Sequence, residues 1–275
     1  MDSWPPPTRA ERRRHGRRVT AIVVGVVVLL LAAAASVFAL TQGGDDGEPS
    51  AKPPSSTAAG QTVAGPNVFA DFGDQQFHSA TTNDADIPVF AAPDPNAQPV
   101  DTLSQRTEYL LPRTLLAFNS YADWVQVYLP TRPNSSTGWV RTSDVKMSAQ
   151  PLPWAVKVDL ANYRVTVLKN GAVDFEADAA IGSPEYPTPT GIFYVTDPLD
   201  LRNQPGTGYG VFAIGLSGHS DVLTDFAGGD GQIAIHGTDN PGDIGQAISH
   251  GCVRLNNDDI MRLSTLPLGT PVFIT

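Results

Sequence analysis

One cysteine, Cys252, is all that 275 residues supply. That excludes an internal disulfide framework and a cysteine-rich zinc site, so this thiol acts without a second one. Charge is scarce as well, at 17% of residues, while hydrophobic residues reach 41%, which excludes a mainly disordered chain. With 25 glycines and 24 prolines breaking up the sequence, a coiled coil or helical bundle is excluded too, and turns, loops and sheets are expected. Basic side chains are the scarcer sign: 18 against 28 acidic, with six of the 18 crowded into the first eighteen residues. The remainder holds 12 basic against 26 acidic groups, a body unsuited to a phosphate backbone, so no nucleic-acid partner is expected. The length allows one or two globular units plus extras.

The arginine-rich start, residues 1–18, reads as a cytoplasmic tail. Residues 19–40 carry no charge and are about as long as the ~20 residues a helix needs to cross the hydrocarbon. Arg9, Arg12, Arg13, Arg14, Arg17 and Arg18 precede the run, and Asp45, Asp46 and Glu48 follow it. The positive-inside rule then predicts a single-pass anchor in the cell membrane with the acidic body on the extracytoplasmic side. A cleaved signal peptide ending near Ala39 is the alternative, although signal cores usually span only ~7 to 15 residues. Residues 41–65, rich in Gly, Ser, Pro and Ala, read as a flexible linker.

Two folded units are expected beyond it, both mainly β. In 66–148, short apolar runs at 87–90, 109–111, 114–118, 124–129 and 138–140 alternate with Pro, Asn, Asp and Gly clusters, which predicts a small β-barrel. The stretch from Pro88-Val89-Phe90 through Trp124-Val125-Gln126-Val127 to Gly138-Trp139-Val140 resembles the bacterial Src-homology-3-like domain. That resemblance implies binding or positioning near cell-wall polymer; a spacer with Trp124 and Trp139 in its core is the plainer alternative. From 153 to 275 a β-rich sandwich or barrel with short helices is expected. Val156, Val158 and Leu160 alternate with Lys157 and Asp159, and Tyr163, Val165 and Val167 with Arg164 and Thr166. Asn170-Gly171 closes the next hairpin, and further strands fit 192–196, 211–214, 232–235 and 271–274. Ile260, Leu263 and Leu266 suggest one short helix capped by Asn257.

Two of the five histidines, His236 and His250, lie near the thiol in sequence. A thiolate is the reactive form of cysteine, and an imidazole beside it favours the charged pair. Gly251 permits the sharp backbone turn that lets successive amides converge on a developing oxyanion. Packing is the alternative use of a lone cysteine, but a free thiol outside the cytoplasm is prone to oxidation, which favours function. A zinc site from His236, His250 and Cys252 is the other alternative; Asp239 and Asp243 stand in no recognised ligand spacing, and neither metal nor another cofactor is expected.

The residues His236-Gly237-Thr238 and Ser249-His250-Gly251-Cys252-Val253-Arg254-Leu255 resemble the active-site signature of the L,D-transpeptidases of bacterial peptidoglycan. Thr188-Pro189-Thr190-Gly191-Ile192-Phe193 and Gly269-Thr270-Pro271-Val272 match that family's other motifs in the same order, over about 120 residues. The resemblance implies acyl transfer from a tetrapeptide stem through a thioester on Cys252, with His236 as base and the Gly237 carbonyl orienting its ring. It further implies an oxyanion hole from the amides of His250, Gly251 and Cys252, with Ser249 holding the loop. Arg254 either binds a stem carboxylate or fixes the loop by a salt bridge. Stem peptides are then the substrate, and carbapenem β-lactams the inhibitors. L,D-carboxypeptidase trimming of terminal D-alanine and an inactive wall-binding protein are the alternatives. The interval between His236 and Ser249 is short for the family, and Arg254 stands where another branch has asparagine.

Overall fold

Strands begin almost as soon as the described residues do. The computed structural model describes residues 76–204, 206–225 and 229–275, all within the unit Ala64–Thr275. The expected basic tail, the 19–40 run and the linker lie outside the described residues, as does 66–75. Among those described, no helix is long and apolar enough to cross a membrane.

The first strands are β1 (His78–Thr82), β2 (Ile87–Val89), β3 (Asp101–Leu103), β4 (Thr114–Tyr121), β5 (Trp124–Tyr128), β6 (Thr137–Arg141) and β7 (Val145–Met147). Five of them form an antiparallel sheet in the order β6-β5-β4-β1-β7, and β2 pairs with β3. The β5 alternation appears as Val125 and Val127 buried beside half-buried Gln126 and Tyr128. Phe90 bridges to Trp139, whose ring is only half-buried, whereas Trp124 lies inside against Phe90. Residues 109–111, expected as a strand, instead form a turn: Leu110 donates to the Thr107 carbonyl, takes a left-handed φ of 63° and is exposed. Its apolar side chain had suggested burial that the turn does not provide.

The second group comprises β8 (Trp154–Asp159), β9 (Arg164–Lys169), β10 (Ala172–Asp178), β11 (Ile181–Gly182), β12 (Gly191–Asp200), β13 (Phe212–His219), β14 (Gln232–His236), β15 (Ala247–Ser249), β16 (Val253–Arg254) and β17 (Pro271–Ile274). Eight of these make one curled mixed sheet in the order β10-β9-β8-β17-β12-β13-β14-β16. Asn170 and Gly171 both have positive φ, 51° and 78°, which is the twist a type I′ hairpin between β9 and β10 requires. The single α-helix among the described residues, α1 (Asn257–Leu263), seats Ile260 and Leu263 in a core shared with Val156, Val165, Ile214 and Ile235. Asn257 is not its cap. The N-cap is Asn256, and the Asn257 side chain accepts from the Val211 amide at 3.1 Å, tying the helix to the start of β13.

The smaller sheet packs onto the larger one. Tyr194 and Phe273 are buried among Ile87, Leu115 and Val127 of the N-terminal strands. Asn134 reinforces the joint by accepting from the His219 amide at 2.9 Å and donating to the His219 carbonyl at 2.7 Å. Arg132 donates to the carbonyls of Ser220, Leu223 and Asp230.

Candidate active site

Parallel pairing of β14 with β16 brings the two halves of the predicted signature together, with His236 opposite Arg254. His236 ends β14 and is 3% exposed. Its Nδ1 lies 2.5 Å from the Gly237 carbonyl; a carbonyl only accepts, so the proton sits on Nδ1 and Nε2 keeps its lone pair. The Tyr209 ring packs on the imidazole with centroids 4.6 Å apart. Burial, joined by the Arg254 charge, holds His236 down at about 4, against the pull of the Gly237 and Tyr209 carbonyls and Asp239.

Cys252 is half-buried as a residue, yet burial of its thiol is the leading cause of a pKa pushed above the ordinary thiol value. The Ala234 backbone and the Arg254 charge offset this in part. At neutral pH the imidazole and the thiol are therefore both uncharged, whereas the sequence had suggested a thiol acidified by a histidine in contact with it. The difference arises because desolvation penalises each charged form, and nearby Arg254 disfavours imidazolium while favouring thiolate.

Ser249 sits 1% exposed at the end of β15. Its hydroxyl donates to the Cys252 carbonyl at 2.6 Å and accepts the Gly251 amide at 3.1 Å, closing a small ring around the turn. Gly251 has φ 116°, and a Cβ there would touch Ile233 at 3.0 Å, so only glycine suits the turn. Its N–H is directed at Ser249 rather than outward. His250 is exposed and stacks on Tyr186 with centroids 4.9 Å apart, away from the buried position His236 occupies.

Arg254 donates from Nη1 to Asp243 Oδ2 at 2.5 Å, and Asn240 holds the other Asp243 oxygen at 2.6 Å. The loop-fixing salt bridge is thus formed, while Arg254 Nε is buried with no partner among the described residues. Thr188 of the upstream motif is buried and accepts the Gly182 amide at 2.8 Å, bracing β11 beside β15. Among the described residues no group of three or more His, Cys, Asp and Glu side chains could hold a metal ion.

Sequence reasoning missed Tyr209, Tyr186, Asn257's tie and the role of Asp243. Only Tyr209 carried a local signal, its place in Gly206-Thr207-Gly208-Tyr209-Gly210; the others depend on contacts made far along the chain.

Residues 153–274 match the family of L,D-transpeptidase catalytic domains, YkuD. The putative L,D-transpeptidase YkuD of Bacillus licheniformis is 31% identical over 134 residues, covering 45% of this chain and 72% of that protein. Its Bacillus subtilis counterpart is 28% identical over 151 residues, 53% of this chain and 83% of that protein. Among solved structures, L,D-transpeptidase 3 from Mycobacterium tuberculosis, in complex with a faropenem-derived adduct, is similar at 14% identity and a TM-score of 0.40, over 59% of this chain and 91% of that one. The chain belongs to the L,D-transpeptidase family.

Proposed function

We propose that this protein forms peptidoglycan cross-links by cysteine acyl transfer from a tetrapeptide stem. The observation that carries the reading is the buried His236 imidazole, fixed through Nδ1 with Nε2 unprotonated, beside a thiol turn whose backbone is locked by Ser249. The Cys252 proton passes to Nε2 as sulfur attacks the carbonyl before the terminal D-alanine. Collapse of the tetrahedral intermediate returns that proton to the departing amine and leaves a thioester. An amine of a neighbouring stem then attacks, gives its proton to His236, and releases the cross-link and the thiol. Because Ser249 holds the Gly251 amide, we assign the oxyanion to the amides of His250 and Cys252. Arg254 stands close enough to the thiol to favour developing thiolate, and Asp243 holds it there.

The 19–40 run and its flanking arginines support export with retention at the membrane, and the N-terminal strands support a Src-homology-3-like unit that positions the enzyme at the wall. Neither metal nor cofactor enters this chemistry.

Incubation of the full-length protein with a tetrapeptide stem, followed by intact-mass measurement, should show a thioester adduct and released D-alanine. Cys252→Ala should show neither. An adduct on any other residue would overturn the assignment. With a second stem present, cross-linked product supports transferase action, while tripeptide alone supports L,D-carboxypeptidase action. A carbapenem should likewise leave one acyl group on Cys252.

A further inference from the structure

The chain from Gly182 to Thr188 folds back on itself beside the thiol turn. The Tyr186 amide donates to the Ser183 carbonyl at 3.0 Å and to the Ser183 hydroxyl at 3.2 Å, and Thr188 accepts the Gly182 amide at 2.8 Å. A Cβ at Gly182 would collide with the Tyr186 carbonyl and the Thr188 amide nitrogen, so only glycine lets the turn close this tightly. Pro187 and Pro189 fix φ on either side of Thr188. Tyr186 is thus carried on short, stiff backbone. That backbone abuts the thiol turn, because a Cβ at Gly251 would come within 3.6 Å of the Pro187 carbonyl oxygen and 4.0 Å of that of Tyr186.

Two contacts reach from this turn to His250. The Ser183 amide donates to the Ser249 carbonyl at 2.9 Å, where β11 runs parallel to β15. That carbonyl and the His250 N–H belong to one trans peptide plane and point in opposite directions, so the bond aims the His250 N–H away from β11. The second contact is the half-buried Tyr186 ring on the exposed His250 imidazole, with centroids 4.9 Å apart and planes 33° from parallel. A hydrogen bond to Glu185 raises the Tyr186 phenol above the ordinary tyrosine value, so the ring meets the imidazole in its neutral form well into alkaline pH. Gly251 follows at φ 116°, with no side chain of its own to resist rotation. The Ser249 hydroxyl fixes the turn beyond His250, at the Gly251 amide and the Cys252 carbonyl, whereas the ring contact bears on His250 itself.

The His250 amide is one of the two assigned above to the oxyanion, and such a donor is effective only if it is aimed before the charge develops. We propose that Tyr186 is a positioning residue for acyl transfer, holding the His250 amide on the oxyanion through the contact of its ring with the His250 side chain. This role rests on the acyl-transfer reading above. It requires the aromatic face of Tyr186 and not its hydroxyl, and it acts on the tetrahedral step rather than on the thiol or on the bound stem.

Two reactions of Cys252 in the full-length protein test the role: D-alanine release from a tetrapeptide stem, and alkylation by iodoacetamide. Alkylation displaces iodide from a saturated carbon and forms no oxyanion, so it reports on the thiol alone. Tyr186→Ala should lower kcat for D-alanine release about tenfold, a fraction of the roughly 10²- to 10³-fold that outright loss of an oxyanion donor costs, with KM and the alkylation rate unchanged. Tyr186→Phe should restore kcat. In a His250→Ala background, Tyr186→Ala should have no further effect, since its route to the amide is already gone. A raised KM with kcat intact would make Tyr186 a substrate contact, and equal losses in alkylation and release would place its effect on the thiol or the fold. Either result overturns the proposal, as would an unchanged kcat in Tyr186→Ala, failure of Tyr186→Phe to restore it, or additive losses in the double variant. A wild-type protein that neither releases D-alanine nor forms a stem adduct on Cys252 would instead remove the acyl-transfer reading, and the positioning role with it.

Discussion

Cys252 and His236 are both uncharged at neutral pH, and the surroundings explain why. Both side chains are desolvated, and Arg254 lies near enough to favour thiolate and disfavour imidazolium. His236 binds a proton only below about 4, so it is available as a base at every pH above that. The limiting charge is the thiolate, whose formation is shifted to higher pH than for a free thiol, at about 8.5. Alkylation of Cys252 in the absence of substrate should therefore climb with pH through and beyond the ordinary thiol range. Iodoacetamide trapping followed by mass spectrometry checks this, and a plateau already reached in mild acid would show a preformed ion pair instead. His236→Ala should slow acylation roughly 10²- to 10⁴-fold, the range for a lost general base, in single-turnover measurements.

At the scale of elements, the site is a junction of strand ends braced by one short helix. Asn257, first residue of α1, accepts the Val211 amide and fills the space that Gly210 and Gly237 leave by having no side chain. A Cβ at either glycine would collide with its Oδ1. Gly237 follows the proposed base directly, so this helix start determines where β14 ends. Asn257→Ala would strand a half-buried N–H and should cost about 1–3 kcal/mol in chemical denaturation. Gly210→Ala should be worse, because it adds a clash at a positive φ of 63°.

Across the whole described unit, the smaller sheet and the larger one share a core through Tyr194 and Phe273 and a polar joint through Asn134. Such sharing predicts one cooperative unfolding transition. Asn134→Ala removes two hydrogen bonds to His219 and should lower that transition by about 1–3 kcal/mol without splitting it, as calorimetry would record. A separate early transition would mean that the two sheets unfold independently.

Strand alternation made much of the architecture legible: Val125 and Val127, Val156 and Val158, and the Asn170-Gly171 hairpin depend on neighbours one or two residues away. The turn at 109–111 escaped because a left-handed Leu110 has no local signature, and the two-residue strands β11 and β16 because pairing alone defines them. The thiol, the histidine and the glycine turn were legible as candidates, since residue type and spacing are enough to single them out. What the sequence by itself determined is the set of candidate reactive groups and the β-rich framework that carries them. Only the tertiary structure decided their charge states, the pairing of Arg254 with Asp243, the direction of the Gly251 amide and the joint that Asn134 makes with His219. Burial and hydrogen bonding depend on distances across the fold, and residues 85 positions apart in the chain, such as Asn134 and His219, have no local means of announcing that they are neighbours.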